Sequence, residues 1–147
     1  IIIPKYNNKY IVVKDKTYQE LTFISGGCKL NESPLNCALR EFKEESLDSL
    51  NITGAIKHKT FHFESRERSK AELRKDKAQK IVVTMRYNVF VVNLTNLNIN
   101  NVKLKYNSEL MKVKKSETDD ILLKSKEELQ SSKMWRFMKE NILPKLN

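Results

Sequence analysis

Residues 26–47 read GGCKLNESPLNCALREFKEESL, and this stretch is the most informative about the fold of the chain. Pro34 suits the first turn of a helix, and Asn31 or Ser33 stands before it as a candidate N-cap. The predicted helix is amphipathic, with one stripe formed by Leu35, Leu39, Phe42 and Ser46. The double glycine follows an apolar run at residues 21–24, so the sequence predicts a strand, a tight loop and a helix.

Three glutamates occupy another face of this predicted helix. Glu41, Glu44 and Glu45 fall within about 100° of one another, at about 100° of rotation per residue. Like charges at these spacings repel by roughly 0.2–0.5 kcal/mol per pair, and Lys43 points away from them. A solvated charged face is one interpretation of this arc. The other is a site for a hard divalent cation, which carboxylate oxygens would hold.

The spacing resembles the signature of the Nudix hydrolases, G-x5-E-x7-R-E-U-x-E-E-x-G-U, in which U is a bulky aliphatic residue. Its positions up to the paired glutamates are filled, in order, by Gly26, Glu32, Arg40, Glu41, Phe42, Glu44 and Glu45. The resemblance implies an α/β (α+β) fold: a Nudix-type α/β/α sandwich with a mixed sheet, the signature loop and helix, and a C-terminal helix. We expect residues 1–147 to form one domain.

The chain departs from this signature at both ends. Ser25 stands where family members usually have proline, and the loop is one residue short if the double glycines are aligned. Leu47 and Asp48 replace the closing glycine and aliphatic residue. That glycine ends the helix in a left-handed conformation, which costs other residues about 1–2 kcal/mol. We therefore expect the helix to continue towards Ser49 or Asn51.

Apolar alternation predicts the strands of the sheet. Residues 1–16 are predicted to form a hairpin that turns at Asn7-Asn8. Further strands are predicted over residues 21–24, 52–63 and 81–94 and within 104–115.

The remaining segments are predicted to be helical or exposed. Short helices are expected at residues 119–123 and 126–130, and an amphipathic helix over 133–143, with Trp135, Met138 and Ile142 on its core stripe. Residues 64–80 are too polar for the core and are predicted to form an exposed loop or short helix.

Composition limits the possible environments and partners. There is no apolar run near 18 residues, so no membrane span is expected, and no obligate protein partner is evident. Cys28 and Cys37 are the only cysteines and are expected to be free thiols in a reducing, cytoplasmic compartment (the host cytoplasm for a viral protein). The chain opens on Ile1 without methionine and is consistent with a fragment of a longer protein. Its net charge of +10 points to polyanionic partners.

The resemblance implies a phosphoanhydride hydrolase that uses Mg²⁺ or Mn²⁺. Its metal ligands would be Glu41, Glu44, Glu45 and Glu109, with a main-chain carbonyl from Gly26 or Gly27. Catalytic roles are expected for Arg40, Glu44, Glu45 and Glu109. Arg40 would orient Glu32 through a structural ion pair instead of touching substrate.

The position of the general base varies within the family. Glu109 is the first candidate because it is expected just before the last strand, and Glu45 is the alternative. Other downstream acids that could serve are Glu117, Asp119 and Asp120.

The general layout is similar to the poxvirus-type Nudix decapping enzymes of large DNA viruses. This similarity implies hydrolysis of the messenger RNA cap, with release of methylated GDP. The basic segment at residues 66–80 would hold RNA phosphates through Arg66, Arg68, Lys70, Arg74 and Lys77, unless it is a solvated loop. Tyr18 is expected to bind substrate, and the aromatic residues available to stack on a cationic base are Tyr18, Tyr6, Phe61 and Trp135.

Two other functions remain open. One is a Nudix pyrophosphatase acting on small nucleotides, dinucleoside polyphosphates or inositol pyrophosphates. The other is a catalytically silent Nudix module that binds RNA or a protein.

Overall fold

The computed structural model describes residues 1–52, 58–67 and 83–146, and over 58–67 and 83–85 it describes the backbone alone. The first two strands form the predicted hairpin. Strand β1 (Ile2–Tyr6) pairs antiparallel with β2 (Lys9–Asp15). Asn7 and Asn8 make the turn with φ angles of 48° and 60°, a left-handed conformation that asparagine tolerates.

A mixed sheet of six strands runs through the described residues. The other strands are β3 (Leu21–Thr22), β4 (His58–Glu67), β5 (Val83–Asn93) and β6 (Thr118–Ser125). β1 lies parallel to β5, and β5 pairs antiparallel with β4. β2 pairs antiparallel with β3 near its end and with β6 along its length.

Five helical segments accompany the sheet in the described residues. They are α1 (Pro34–Glu45), α2 (Ile99–Leu110), α3 (Lys126–Ser131), α4 (Arg136–Asn141) and a 3-10 turn (Leu143–Lys145). None of the helices within those residues is long and apolar enough to span a membrane.

Alternating side chains along the strands divide the core between the two faces of the sheet. Tyr10 and Val12 of β2 pack with Met138 of α4 on one face. Ile11 of β2 packs with Phe42 of α1 on the other, and α2 also contributes to this cluster. Helices therefore cover both faces of a mixed sheet, which confirms the predicted fold class.

β2 pairs along its length with a strand that local sequence did not predict. Residues 119–123, predicted to be a short helix, lie within β6. β6 pairs with β2 from Lys9↔Ser125 to Asp15↔Thr118, and Ile121 is fully buried. The helical prediction was wrong because pairing with a strand about a hundred residues earlier decides this conformation.

The strand predicted within residues 104–115 is also wrong, because residues 104–110 belong to α2. The side chain of Asn98 caps this helix by accepting from the Asn101 N–H at 3.3 Å. Val102 and Tyr106, one turn apart, are buried against the sheet. Residues 111–117 then lead into β6.

The signature helix starts as predicted, with Ser33 as N-cap and Pro34 in the first turn. It ends at Glu45, so the expected extension towards Ser49 or Asn51 is wrong. Leu47 and Asp48 adopt φ angles of 53° and 55°. The Leu47 N–H donates to the Glu44 carbonyl at 3.2 Å, and the Asp48 N–H donates to the Lys43 carbonyl at 2.9 Å. These two bonds form a Schellman motif without its usual glycine.

A disulfide joins the signature loop to α1. Cys28 and Cys37 are bonded, with their Cα atoms 5.2 Å apart, so the prediction of free thiols was wrong. The loop folds back over the first turn of the helix, and this return brings together two cysteines that lie nine residues apart in sequence.

The C-terminal helices only partly follow the prediction. α3 is the helix expected at residues 126–130, but α4 is shorter than the helix predicted over 133–143. Residues before it are extended because they pair with β3: the Leu21 N–H donates to the Lys133 carbonyl at 2.9 Å, and the Trp135 N–H donates to the Leu21 carbonyl at 2.8 Å. Trp135 is 42% exposed, which contradicts its predicted place on the core stripe, whereas Met138 and Ile142 are buried as expected.

The predicted strands at 52–63 and 81–94 correspond to β4 and β5 where they are described. β4 continues to Glu67, so residues 64–67 are strand and not the exposed loop or short helix expected there. The strand predicted at 21–24 is reduced to β3, followed by a single bridge between Ile24 and Ile2. Residues 53–57 and 68–82 lie outside the described part of the chain.

Candidate active site

Besides the disulfide, Arg40 also holds the signature loop against α1. Arg40 donates from Nε to Glu32 Oε1 at 2.7 Å and from Nη2 to Glu32 Oε2 at 3.1 Å. Nη2 also donates to the Gly27 carbonyl at 3.0 Å. Hydrogen bonds from Arg40 and from the Lys29 N–H lower the pKa of Glu32 to about 2. The Arg40–Glu32 ion pair expected from the sequence is therefore present, and it ties the loop to the helix.

Glu41 lies between the same arginine and the glycine loop. Arg40 Nη1 is 2.8 Å from Glu41 Oε1, and the Glu41 side chain is 14% exposed. A Cβ atom at Gly26 would overlap the Glu41 carboxyl group. A side chain at this position would displace the Glu41 carboxylate, because the backbone and the carboxylate approach so closely.

Glu44 and Glu45 differ in their exposure. Glu44 is 58% exposed in its side chain and lies 3.4 Å from Arg40 Nη1. Glu45 is partly buried, and its carboxylate accepts a hydrogen bond from the Ser25 backbone. Burial raises the pKa of Glu45 to about 8, and the charges of Glu117, Glu41 and Glu44 add to this effect.

Glu45 also forms part of the wall of a cavity of about 560 Å³. The lining residues combine acids with aromatic rings and small polar groups: Asp15, Tyr18, Glu20, Thr22, Phe23, Ser25, Glu45, Glu117, Thr118 and Trp135. No lysine or arginine is among the described residues that line it. The cavity is thus acidic, although the chain as a whole carries a net charge of +10.

Two exposed aromatic side chains of this cavity are held in place through their backbones. Tyr18 is 67% exposed, and its N–H donates to Asp15 Oδ1 at 3.1 Å. Lys133 Nζ donates to the Tyr18 carbonyl at 3.0 Å. Trp135 lies two residues after Lys133, and its N–H donates to the Leu21 carbonyl. The Trp135 ring also packs against Phe137, with the ring centroids 5.1 Å apart. Its exposed part and the Tyr18 ring can stack on a planar ligand.

Solved structures with the same fold identify the architecture. A binary complex of the C. elegans Ap4A hydrolase aligns with a TM-score of 0.56 at 13% identity, over 99% of this chain and 89% of that chain. A candidate NUDIX hydrolase from Listeria monocytogenes aligns with a TM-score of 0.55 at 18% identity, over 95% of this chain and 84% of that one. This chain has the Nudix fold. No protein-family model and no curated protein matches its sequence.

Glu109 is not among the described residues that line the cavity. Glu109 lies in the last turn of α2, and its carboxylate is 3.3 Å from Lys112 Nζ. It was expected just before the last strand, but Glu117 holds that position instead and lines the cavity with Glu45. Glu109 was preferred because a strand was predicted within residues 104–115. Residues 104–110 instead end α2, so the segment that precedes β6 is residues 111–117 and contains Glu117.

The side chains of the basic residues expected to bind substrate lie outside the described part of the chain. Arg66 lies in β4, where it pairs with Thr84, and only its backbone is described. Arg68, Lys70, Arg74 and Lys77 lie outside the described residues. Tyr18, whose side chain is described, lines the cavity as expected for a substrate-binding residue.

The carboxylate oxygens of the signature helix suit a hard divalent cation. In the described residues, no three His, Cys, Asp or Glu side chains are already arranged around a common metal position. However, the acids that raise the pKa of Glu45 create a negatively charged, oxygen-rich environment. A cation would relieve this repulsion, and oxygen ligands are those that Mg²⁺ and Mn²⁺ prefer.

Proposed function

We propose that this chain is a divalent-metal-dependent hydrolase that cleaves a phosphoanhydride bond in a small nucleotide or dinucleoside polyphosphate. One observation carries the proposal: Glu45 belongs both to the carboxylate cluster of the signature helix and to the wall of a cavity that holds Tyr18 and Trp135. A nucleotide has the two matching parts, a phosphate chain and a planar base. The fold shared with an Ap4A hydrolase supports the same choice.

The carboxylates of Glu41, Glu44, Glu45 and Glu117 would hold Mg²⁺ or Mn²⁺. When bound, the metal would orient the phosphates, stabilise the charge that develops on their oxygens and lower the pKa of a water. Glu109 is not proposed as a ligand, because its described contact is with Lys112 and it does not line the cavity.

Other residues position the carboxylates, accept a proton and bind the base. Arg40 fixes Glu32 and Glu41 and has no described contact with the cavity. Glu45 or Glu117 accepts the proton of the attacking water. Burial raises the pKa of Glu45 to about 8, and a carboxylate with a pKa close to neutrality suits this role. Tyr18 and Trp135 stack on the base and exclude water from its faces.

Capped RNA is the second candidate substrate, and the charge of the cavity favours it. A methylated guanine ring is cationic, so aromatic faces attract it and nearby carboxylates complement its charge. The lining acids Asp15 and Glu20 supply such charge beside Tyr18 and Trp135. The net charge of +10 would attract the RNA backbone.

Incubation with Mn²⁺ and a panel of substrates tests the proposal. The panel contains nucleoside triphosphates, Ap4A, inositol pyrophosphates and cap-labelled RNA, and chromatography identifies the products. Metal-dependent cleavage of the free nucleotides supports the first candidate, and release of methylated GDP from RNA alone supports the second. Glu45→Gln should abolish either activity while the fold is retained. If the wild-type chain cleaved no substrate of the panel, the proposed hydrolase activity would be refuted and a catalytically silent binding module would be favoured.

A further inference from the structure

We propose that Tyr106 and Thr118 are positioning residues that fix the Glu45 end of α1 against the segment carrying Glu117. The inference rests on the proposed function, because it concerns two carboxylates that line one cavity. Both hydroxyl groups lie outside the signature stretch, one on α2 and the other at the start of β6.

The two hydroxyl groups form a buried chain of hydrogen bonds that ends on α1. Tyr106 Oη is 2.6 Å from Thr118 Oγ1, and Thr118 Oγ1 donates to the Glu45 main-chain carbonyl at 3.2 Å. A threonine hydroxyl has one proton, so Tyr106 must be the donor to Thr118. Tyr106 is fully buried and Thr118 is 4% exposed, so water does not compete freely for these bonds.

The Glu45 carbonyl requires such a partner because of the way α1 ends. The last carbonyls of a helix have no partner within the helix. In the Schellman motif, the Lys43 and Glu44 carbonyls accept from the Asp48 and Leu47 N–H groups. The next carbonyl, that of Glu45, accepts from the hydroxyl group of Thr118, which lies on β6.

This hydrogen bond links the two acidic segments of the cavity. Thr118 directly follows Glu117, so anchoring its side chain to α1 limits movement of Glu117 relative to Glu45. Tyr106 then limits rotation of the Thr118 side chain. We infer that the hydroxyl chain sets the separation of the two carboxylates, and thereby the affinity of the site for a divalent cation.

Three substitutions of similar shape test this role, with Mn²⁺ affinity measured by calorimetry and turnover measured separately. Thr118→Ser keeps both hydrogen bonds and should stay within about 2-fold of wild type. Tyr106→Phe loses one bond and should weaken Mn²⁺ binding by about 3-fold, whereas Thr118→Val loses both and should weaken it by about 10-fold. The double variant should match Thr118→Val, because Tyr106 acts through Thr118.

Ser125→Ala provides a matched control at the other end of β6. Its hydroxyl caps α3 by accepting from the Glu128 N–H at 3.1 Å, so its loss should lower stability without changing Mn²⁺ affinity. Equal Mn²⁺ affinity in wild type, Tyr106→Phe and Thr118→Val would overturn the positioning role. Failure of wild type itself to bind Mn²⁺ would instead overturn the proposed function, and with it this inference.

Discussion

Gly26 and Glu41 are in such close contact that a single methyl group would not fit between the loop backbone and the carboxyl group. Under the proposed function, Gly26→Ala should therefore displace the Glu41 carboxylate from the metal site and reduce turnover about 10- to 100-fold, the cost of a small displacement at the reacting centre. The melting temperature should change little, because the end of a flexible side chain is what moves. Gly27→Ala is the control, since a Cβ there meets nothing within 4 Å among the described atoms. Equal kinetics of the two variants would contradict the contact.

Stability without metal should fall as the pH rises, because of Glu45. Its pKa is about 8 in the folded chain against 4.5 in the unfolded chain, so folding takes up a proton between these values. Unfolding in EDTA should show a loss of about 1–3 kcal/mol between pH 4.5 and 8, allowing for solvent screening. Glu45→Gln should flatten this dependence and be more stable than wild type at pH 8. If the stability of wild type and of Glu45→Gln depended on pH in the same way, Glu45 would be excluded as the cause of the pH dependence.

The end of α1 offers a stabilising substitution. Asp48 is exposed and has a φ of 55°, a conformation that glycine adopts without steric cost. Asp48→Gly should raise the free energy of unfolding by about 0.5–1 kcal/mol, the steric gain less the entropy cost of glycine. Leu47→Gly should raise the free energy of unfolding by less, because it removes a side chain that packs against the core. Denaturant unfolding measures both, and a loss of stability in Asp48→Gly would contradict the reasoning.

Removal of the cavity aromatics should affect substrate binding more than chemistry. Trp135→Ala and Tyr18→Ala should each raise KM about 5- to 100-fold, the range expected for the loss of one base-stacking contact, with a smaller change in kcat. Steady-state kinetics on the preferred substrate of the panel measures this. Tyr6→Ala is the control, since Tyr6 ends β1 and does not line the cavity. A KM unchanged in both cavity variants would place the base elsewhere.

The signature helix was predictable because its signals are local. The N-cap at Ser33, the proline after it and the glutamate spacing all lie within a few helical turns. The same holds for the Asn7-Asn8 hairpin, where two residues determine the turn.

Features that depend on distant residues were missed. β6 is a strand because it pairs with β2, and Trp135 leaves the core stripe because its backbone bonds to Leu21. The choice of Glu109 over Glu117 followed from mistaking α2 for a strand. Leu47 adopts the left-handed conformation because core packing and two hydrogen bonds offset its steric cost, which local propensity does not include.

The segment around Met134 serves two purposes at once. It adds backbone pairing to β3, and it carries Trp135 into the cavity while its neighbours Phe137 and Met138 complete one half of the core. Under the proposed function, a change of substrate at this wall should therefore be tolerated more readily through exchange of the Trp135 side chain than through insertions or deletions in the peptide that carries it.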